Sequence, residues 1–278
     1  MECREVLLIV WKGEIPIQFV LDPDELSGVE TPDPFFLLAP RITYLPLVTE
    51  KVSRHFHQHI NKSEDDEIWF DYGGDPLKWH YPIGVLFDMY GDPEKLPWKI
   101  TVHFKEFPAD ELIRCSNRDV VQSYFFQRLK EADFLKQHKT KVVADLVKKD
   151  FKQVWTALYH HKFEEFWLIN QKLMKPIESD TFRLIPFKIY TPDHKVIQAS
   201  FPSMLTENSP STLGDLIHKF YPNTKAVTGD CEVKIHGVEV EMHLTLQWIA
   251  TNLSYPDNFI HICIIDPYSK LSVSIFPM

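Results

Sequence analysis

LPWKITVHFKEFP, residues 96–108, is the stretch on which the fold turns. From Trp98 its apolar residues alternate with polar ones, the period-two pattern of a strand with one buried face. At Pro108 that pattern stops. No proline occurs from 109 to 175 and no glycine from 92 to 213, so the chain has what continuous helix requires. Three helical segments are predicted, at 117–137, 139–159 and 161–174, with Ser116 and Asp119 spaced as a capping box. At Pro176 the extended pattern returns, and the chain closes on YPDNFIHICI (255–264), which rhymes with LPWKITVHF (96–104).

Working outward, both flanks carry the same order of elements. Before Pro108 come a short helix or strand start at 4–10, extended WKGEIPIQFVL (11–21) and a fully apolar strand, FFLLAP (35–40). LPLVTEKVSRHFHQHI (45–60) follows as one amphipathic helix, with Leu45, Val48, Val52, Phe56 and Ile60 on its stripe. EIWFDYGGDPLKWHY (67–81) reads as a hairpin turning at Gly73-Gly74, and PIGVLFDMY (82–90) as a helix between Pro82 and Gly91. After Pro176 come a hairpin over 182–201 turning at Pro192-Asp193, a helix over 212–221 capped by Thr212, and extended CEVKIHGVEV (231–240) with a turn at Gly237. A short helix over 245–253 and a buried strand at 259–265 complete the set. A sheet wrapped on one helix, twice, predicts an α+β fold: two ubiquitin-like β-grasp domains flanking a helix-rich domain. The expected divisions are an N-terminal segment at 1–10, a first ubiquitin-like domain at 11–108, a helix-rich domain at 109–180, a second ubiquitin-like domain at 181–266 and a tail at 267–278.

The 278 residues exceed what one core usually serves, which agrees with several compact units. Apolar residues at 44% and charged ones at 25% are those of a soluble globular protein. A net charge of −9 argues against nucleic-acid binding and gives no electrostatic reason to dock on anionic lipid. Cys3, Cys115, Cys231 and Cys263 are scattered, which excludes a CxxC site and fits a reducing compartment. The opening apolar run of six residues predicts no secretory leader, and no stretch reaches the ~20 apolar residues of a membrane span. A cytoplasmic location is expected.

No nucleotide-binding, nucleophile-elbow or HExxH motif occurs, and no nucleophile has a partnered base; no cofactor is expected. His55 and His59 stand at i,i+4 in the predicted helix and could clasp a metal, but no third ligand lies near, and no metal site is expected. His160 and His161 point to different sides of their helix, while His80, His103, His236 and His261 alternate with apolar residues in strands and read as structural. Asp65-Asp66-Glu67 reads as a solvated loop. One stretch raises another chemistry. In FFQRLKEADFLKQHKTK (125–141), a helical wheel places Phe125, Phe126, Leu129, Ala132 and Leu135 on one arc, and Lys130 at its edge between Phe126 and Phe134. A lysine amine is nucleophilic only when neutral, and partial desolvation favours that form. A snorkelling lysine whose stem covers apolar surface would show the same pattern.

Seven blocks carry a resemblance that spans the chain: PRITYLPLVTEKV (40–52), EIWFDYGGDPLKWHYPIGVLFD (67–88), LPWKITVHFKEFP (96–108), LKEADFLK (129–136), FWLINQKLM (166–174), TLGDLI (212–217) and LQWIATNLSYPDNFIHICII (246–265). On them the chain resembles the autophagy-related protein 5 family. It departs from the family near Val240 and Thr245, where prolines are expected and where Thr245 could cap a helix; the tail and the 55–59 histidines are its own.

The resemblance implies a non-enzymatic autophagy scaffold. Within LKEADFLK the family's acceptor falls on Lys130, joined by an isopeptide bond to the C-terminal glycine of the ubiquitin-like autophagy-related protein 12. Autophagy-related proteins 7 and 10 activate and transfer that modifier. The conjugate holds a helix of autophagy-related protein 16 in a groove, for which Arg41 and Gly84 are the candidates, as a rim charge and a close approach. Trp248 and Tyr255 are candidates for supporting the surface the conjugated partner covers, with core packing the competing reading. The complex then acts like an E3 ligase, promoting transfer of autophagy-related protein 8 from autophagy-related protein 3 to phosphatidylethanolamine. Association with the phagophore membrane would be peripheral and through the complex. The competing classes are an unconjugated ubiquitin-like interaction module and a metal-dependent enzyme built on the 55–59 histidines.

Overall fold

The structure, a computed structural model, describes residues 2–28, 30–60, 67–137, 141–177, 180–222 and 231–266. The 267–278 tail, Asp65-Asp66 and Lys139 lie outside the described residues. Two compact units form: residues 12–124, and residues 1–11 together with 125–278.

The N-terminal segment is helical, α1 (Arg4–Trp11). It is part of the second unit because Trp11 anchors it: the indole stacks on His161 at 5.3 Å, and its N–H donates to the His161 carbonyl (3.2 Å).

In the first unit, β1 (Glu14–Leu21) and β2 (Phe35–Pro40) pair antiparallel. The sequence from 45 to 60 gives two helices instead of one, α2 (Leu45–Val48) and α3 (Glu50–His57). The break is one residue wide, at Thr49 (φ −94°, ψ 6°), where the hydroxyl donates to the Leu45 carbonyl, a bond that competes with regular helix. Most of the expected stripe is nonetheless inside, with Leu45, Val52, Phe56 and Ile60 buried. Then come β3 (Trp69–Tyr72), β4 (Asp75–Pro76), α4 (Ile83–Tyr90) and β5 (Trp98–His103). Gly73 and Gly74 turn the hairpin with φ of 63° and 92°, the left-handed values of a type I′ turn. The sheet runs β2-β1-β5-β3-β4, with β1 and β5 parallel. FFLLAP sits at an edge, and although every residue of the strand is apolar its alternation turns Phe36 and Leu38 to the exposed face, away from that of buried Ala39.

The helical region contains α5 (Arg118–Gln137), α6 (Lys141–Ala144), α7 (Lys148–Tyr159) and α8 (Phe163–Leu173). The segment expected at 139–159 is split because Val147 is extended and its N–H donates to the Asp150 carboxylate (3.2 Å), a cap no glycine or proline announces. The cap of α5 is Asn117, one residue past the expected Ser116: its side-chain oxygen accepts from the N–H groups of Asp119 (2.9 Å) and Val120 (3.3 Å). His160 and His161 lie beyond the end of α7 rather than within it.

The second sheet is built from β6 (Leu184–Tyr190), β7 (Val196–Pro202), β10 (Glu232–Ile235), β11 (Val238–Glu239) and β12 (Ile260–Ile265). A small unpredicted pair, β8 (Met204–Thr206) with β9 (Ser209–Pro210), precedes α9 (Leu213–Phe220), and α10 (Leu246–Leu253) precedes β12. Thr212 caps α9 through a reciprocal bond with Asp215, and Thr245 caps α10 by accepting from the Trp248 N–H (3.3 Å). Read from β7 the order is β7-β6-β12-β10-β11, with β6 and β12 parallel. Counted within each half, both sheets therefore follow strand order 2-1-5-3-4, with the first strand parallel to the last. One architecture occurs twice. Ile185, Phe187 and Ile189 of β6 and Ile260, Ile262 and Ile264 of β12 share a core with α9 and α10. The alternate residues Lys188, Tyr190, His261 and Cys263 point to the opposite face and are buried too.

Candidate functional site

Lys130 lies on α5 and is exposed. Val121, Phe125, Leu129 and Ala132 of the same helix are buried, which fixes the face it turns inward. The amine is 6.0 Å from the centre of the Phe151 ring of α7, and Phe126 packs edge-on against that ring at 5.1 Å. A ring of the neighbouring helix thus shelters the amine, one that the expected pair of Phe126 and Phe134 did not include; Phe134 is about half exposed. A wheel drawn on one helix cannot show a ring from another. Among the described residues Lys130 makes no ion pair, while its neighbours Arg128 and Glu131 pair with each other at 2.6 Å.

Behind Lys130 lies a feature the sequence reading passed over. Lys136 and Asp133, on the same helix, are each 1% exposed. The Lys136 ammonium donates to the Met174 thioether (3.1 Å) and lies 4.9 Å from the Phe182 ring centre. Burial pushes its amine down to about 7, against the pull of Asp133 and Asp257. Burial likewise pushes the Asp133 carboxyl up, although it accepts from the Val143 N–H (3.0 Å). On the sheet side, Lys188, Asp257 and His261 are buried together. His261 Nε2 donates to Asp257 (3.0 Å) and Nδ1 accepts from the Tyr190 hydroxyl (2.8 Å), the assignment the two partners require of a neutral imidazole. Burial pushes His261 down, keeping it neutral. Burial works to raise Asp257, but His261 and Lys188 outweigh it and hold the carboxyl below the usual range. At the outer end Glu131 of α5 accepts from Gln198 of β7 (2.8 Å). A sequence signal existed: Lys136 falls three turns after Phe125, about 20° from it on the wheel, at the centre of the buried stripe.

Arg41 and Gly84 are brought together as the sequence reading paired them, but inside the first unit. The Arg41 side chain is 11% exposed and pairs with Asp88, itself 5% exposed, at 2.5 Å. Gly84 N–H donates to the Arg41 carbonyl at 2.7 Å. A methyl group on Gly84 would stand 2.9 Å from both Arg41 Cβ and the Arg41 carbonyl oxygen, closer than packed atoms allow. Gly84→Ala is therefore expected to lower the stability of the first unit by about 1–3 kcal/mol. Chemical denaturation of the two proteins checks this, and an unchanged midpoint would count against the close approach.

Tyr255 is 1% exposed, stacked on His236 at 3.9 Å and 4.7 Å from His261. Trp248 is partly buried against the second core. Tyr255 is thus inside and Trp248 lies at the margin of that core. The histidine pair does not keep its register, because α3 ends at His57 and His59 lies beyond it. The His55 ring nitrogen bonds the Asp33 carbonyl at 2.8 Å, and among the described residues no cluster of three or more metal-ligating side chains occurs. No described helix is long and apolar enough to cross a membrane.

Two ubiquitin-like grasp sheets of matching topology, with a helical region between them in sequence that displays an exposed lysine, define a double β-grasp protein. Family models agree segment by segment. Residues 10–104 match the autophagy protein ATG5 UblA domain, 118–176 its alpha-helical bundle region, and 184–264 its UblB domain. The chain is 38% identical over 265 residues to Autophagy protein 5 of Drosophila melanogaster, covering 94% of this chain and 97% of that protein. It is 31% identical over 272 residues to Autophagy-related protein 5 of Caenorhabditis elegans, covering 94% and 98%. In fold it is similar to crystalline Kluyveromyces marxianus Atg5, with a TM-score of 0.81 over 94% of this chain and 99% of that one at 21% identity. The chain belongs to the autophagy protein ATG5 family, and its role lies in autophagy.

Proposed function

We propose that this protein is an acceptor and scaffold, not an enzyme, and that Lys130 is its point of conjugation. The Lys130 amine attacks the thioester carbonyl that joins autophagy-related protein 12 to its conjugating enzyme. An isopeptide bond forms, the carbon–sulfur bond breaks, and the enzyme's cysteine leaves as thiol. The observation that carries the reading is the exposure of Lys130 on a long helix whose inner face is locked in place, with no carboxylate holding the amine among the described residues. Such an amine can be approached by a bulky enzyme without unfolding anything. The chain supplies position, and the partner supplies the activated carbonyl.

The conjugate then binds a helix of autophagy-related protein 16 and promotes lipidation of autophagy-related protein 8, as a peripheral complex at the phagophore membrane. Arg41 and Gly84 enter this reading as the frame behind a contact, since both are largely inside. Trp248 and Tyr255 support the second core beneath the surface the modifier would cover.

Reconstitution with the activating enzyme, the conjugating enzyme and the modifier tests the proposal. A product heavier by one modifier, with the branched peptide mapped to Lys130, is expected. Absence of any adduct would favour an unconjugated interaction module; a branch mapped to another lysine would move the site.

A further inference from the structure

We propose that the buried polar seam between α5 and the second sheet sets the angle at which Lys130 leaves the protein, which makes Lys136 a positioning residue for conjugation. The inference rests on Lys130 being the acceptor. Three side chains of α5 enter the seam, Arg128, Glu131 and Lys136, while Asp133 lies near Lys136 and accepts from the Val143 N–H of α6. The three face Lys188 and Gln198 of the sheet strands and Asp257 and His261 at β12 and its approach, with Tyr190 beyond His261. Met174, at the end of α8, and Phe182, on the approach to β6, close the seam around the Lys136 amine. The backbone of α5 is tied in as well, since the Arg183 N–H donates to the Lys136 carbonyl (3.2 Å), and the side-chain Nε2 of Gln137 donates to the Lys175 carbonyl (2.8 Å).

This arrangement is an unexpected way to pack a helix on a sheet. An apolar seam would hold α5 at least as tightly, but apolar contacts are non-directional and tolerate small rotations about the axis. Buried polar groups accept only a few geometries, because misalignment leaves them unsatisfied at a cost. Fixing register is the best-attested use of such groups. Lys130 lies between the seam's anchors in sequence, after Arg128 and before Glu131 and Lys136, so it turns with them. At a side-chain radius of roughly 6 Å, a 20° rotation moves the amine by about 2 Å. Misplacement by about 1 Å can cost a transfer reaction ~100-fold.

The decisive experiment measures stability and single-turnover transfer from the thioester-charged conjugating enzyme, for the wild type and Lys136→Met. Positioning predicts opposite movements: a higher melting temperature, and transfer to Lys130 slower by about tenfold or more. A purely structural lysine predicts that transfer does not fall when stability rises, so an unchanged rate overturns the proposal. If Lys136→Met does not fold, Gln198→Ala decides at the exposed end of the seam: slower transfer at unchanged melting temperature supports the proposal, and an unchanged rate overturns it. If the wild type conjugates elsewhere than Lys130, the acceptor reading falls and takes this inference with it. If the wild type conjugates at Lys130 and neither variant is slowed, the inference alone falls.

Discussion

Lys130→Arg is expected to give no conjugate in the reconstituted reaction while melting at the temperature of the wild type. Arginine keeps the charge and most of the stem, so the packing over Phe151 persists, but its guanidinium remains protonated and does not attack a thioester. Lys130 is exposed and makes no ion pair among the described residues, so the change belongs with surface substitutions, which usually fall within about ±0.5 kcal/mol. Lys148 and Lys149, at the start of α7, are the internal control. They are also exposed, and if accessibility alone chose the acceptor they would carry the modifier once Lys130 was removed. A heavier band of wild-type intensity from Lys130→Arg would end the assignment. A melting temperature several degrees lower would mean that the residue holds the fold.

Lys136→Met is expected to stabilise the protein by about 4 kcal/mol near neutral pH. The folded Lys136 amine sits at about 7 against an ordinary lysine value of 10.5. A folded value below the unfolded one means that the unfolded chain binds the proton more tightly. Stability therefore rises with pH between about 7 and 10.5, and the penalty of burying the charge is fully present below that window. That difference corresponds to about 4–5 kcal/mol. Replacing a whole buried ion pair by apolar residues is often neutral or stabilising by about 1–4 kcal/mol, whereas removing one partner of a buried pair destabilises, so the sign here turns on whether the neighbours keep their other partners. Removing the amine does not strand its neighbours. Asp133 is already raised by burial and keeps its bond from Val143, and Asp257 keeps Lys188 and His261. Denaturation curves from pH 6 to pH 10.5 would show the gap between variant and wild type closing as pH rises. A variant less stable at pH 7, or a gap that widens with pH, would contradict the buried-charge account.

The wild type tolerates this cost while having a cheaper alternative in Leu or Met. That is why the seam reads as a device for holding α5 in one register, with function rather than stability as the beneficiary. The same logic separates it from the Arg41–Asp88 pair, whose two members meet directly at 2.5 Å.

Much of this protein was legible from its residues. Alternation in WKITVHF and FIHICII marked the closing strands, Gly73-Gly74 and Gly237 marked the turns, and the absence of glycine and proline marked the helical region. These signals are local: backbone sterics and the 2.0 and 3.6 periodicities act within a few residues and need no partner. The repeated order of elements predicted two grasp sheets, and the strand order 2-1-5-3-4 in each agrees. Tertiary structure decided the rest. It placed FFLLAP at an edge, drew α1 onto the unit formed with 125–278, brought the Phe151 ring of another helix to Lys130, and turned Arg41 inward against Asp88. It also buried Lys136, a residue that composition alone assigns to solvent. Burial and charge pairing depend on which segments distant in sequence come to lie against each other, and no periodicity within one segment carries that information.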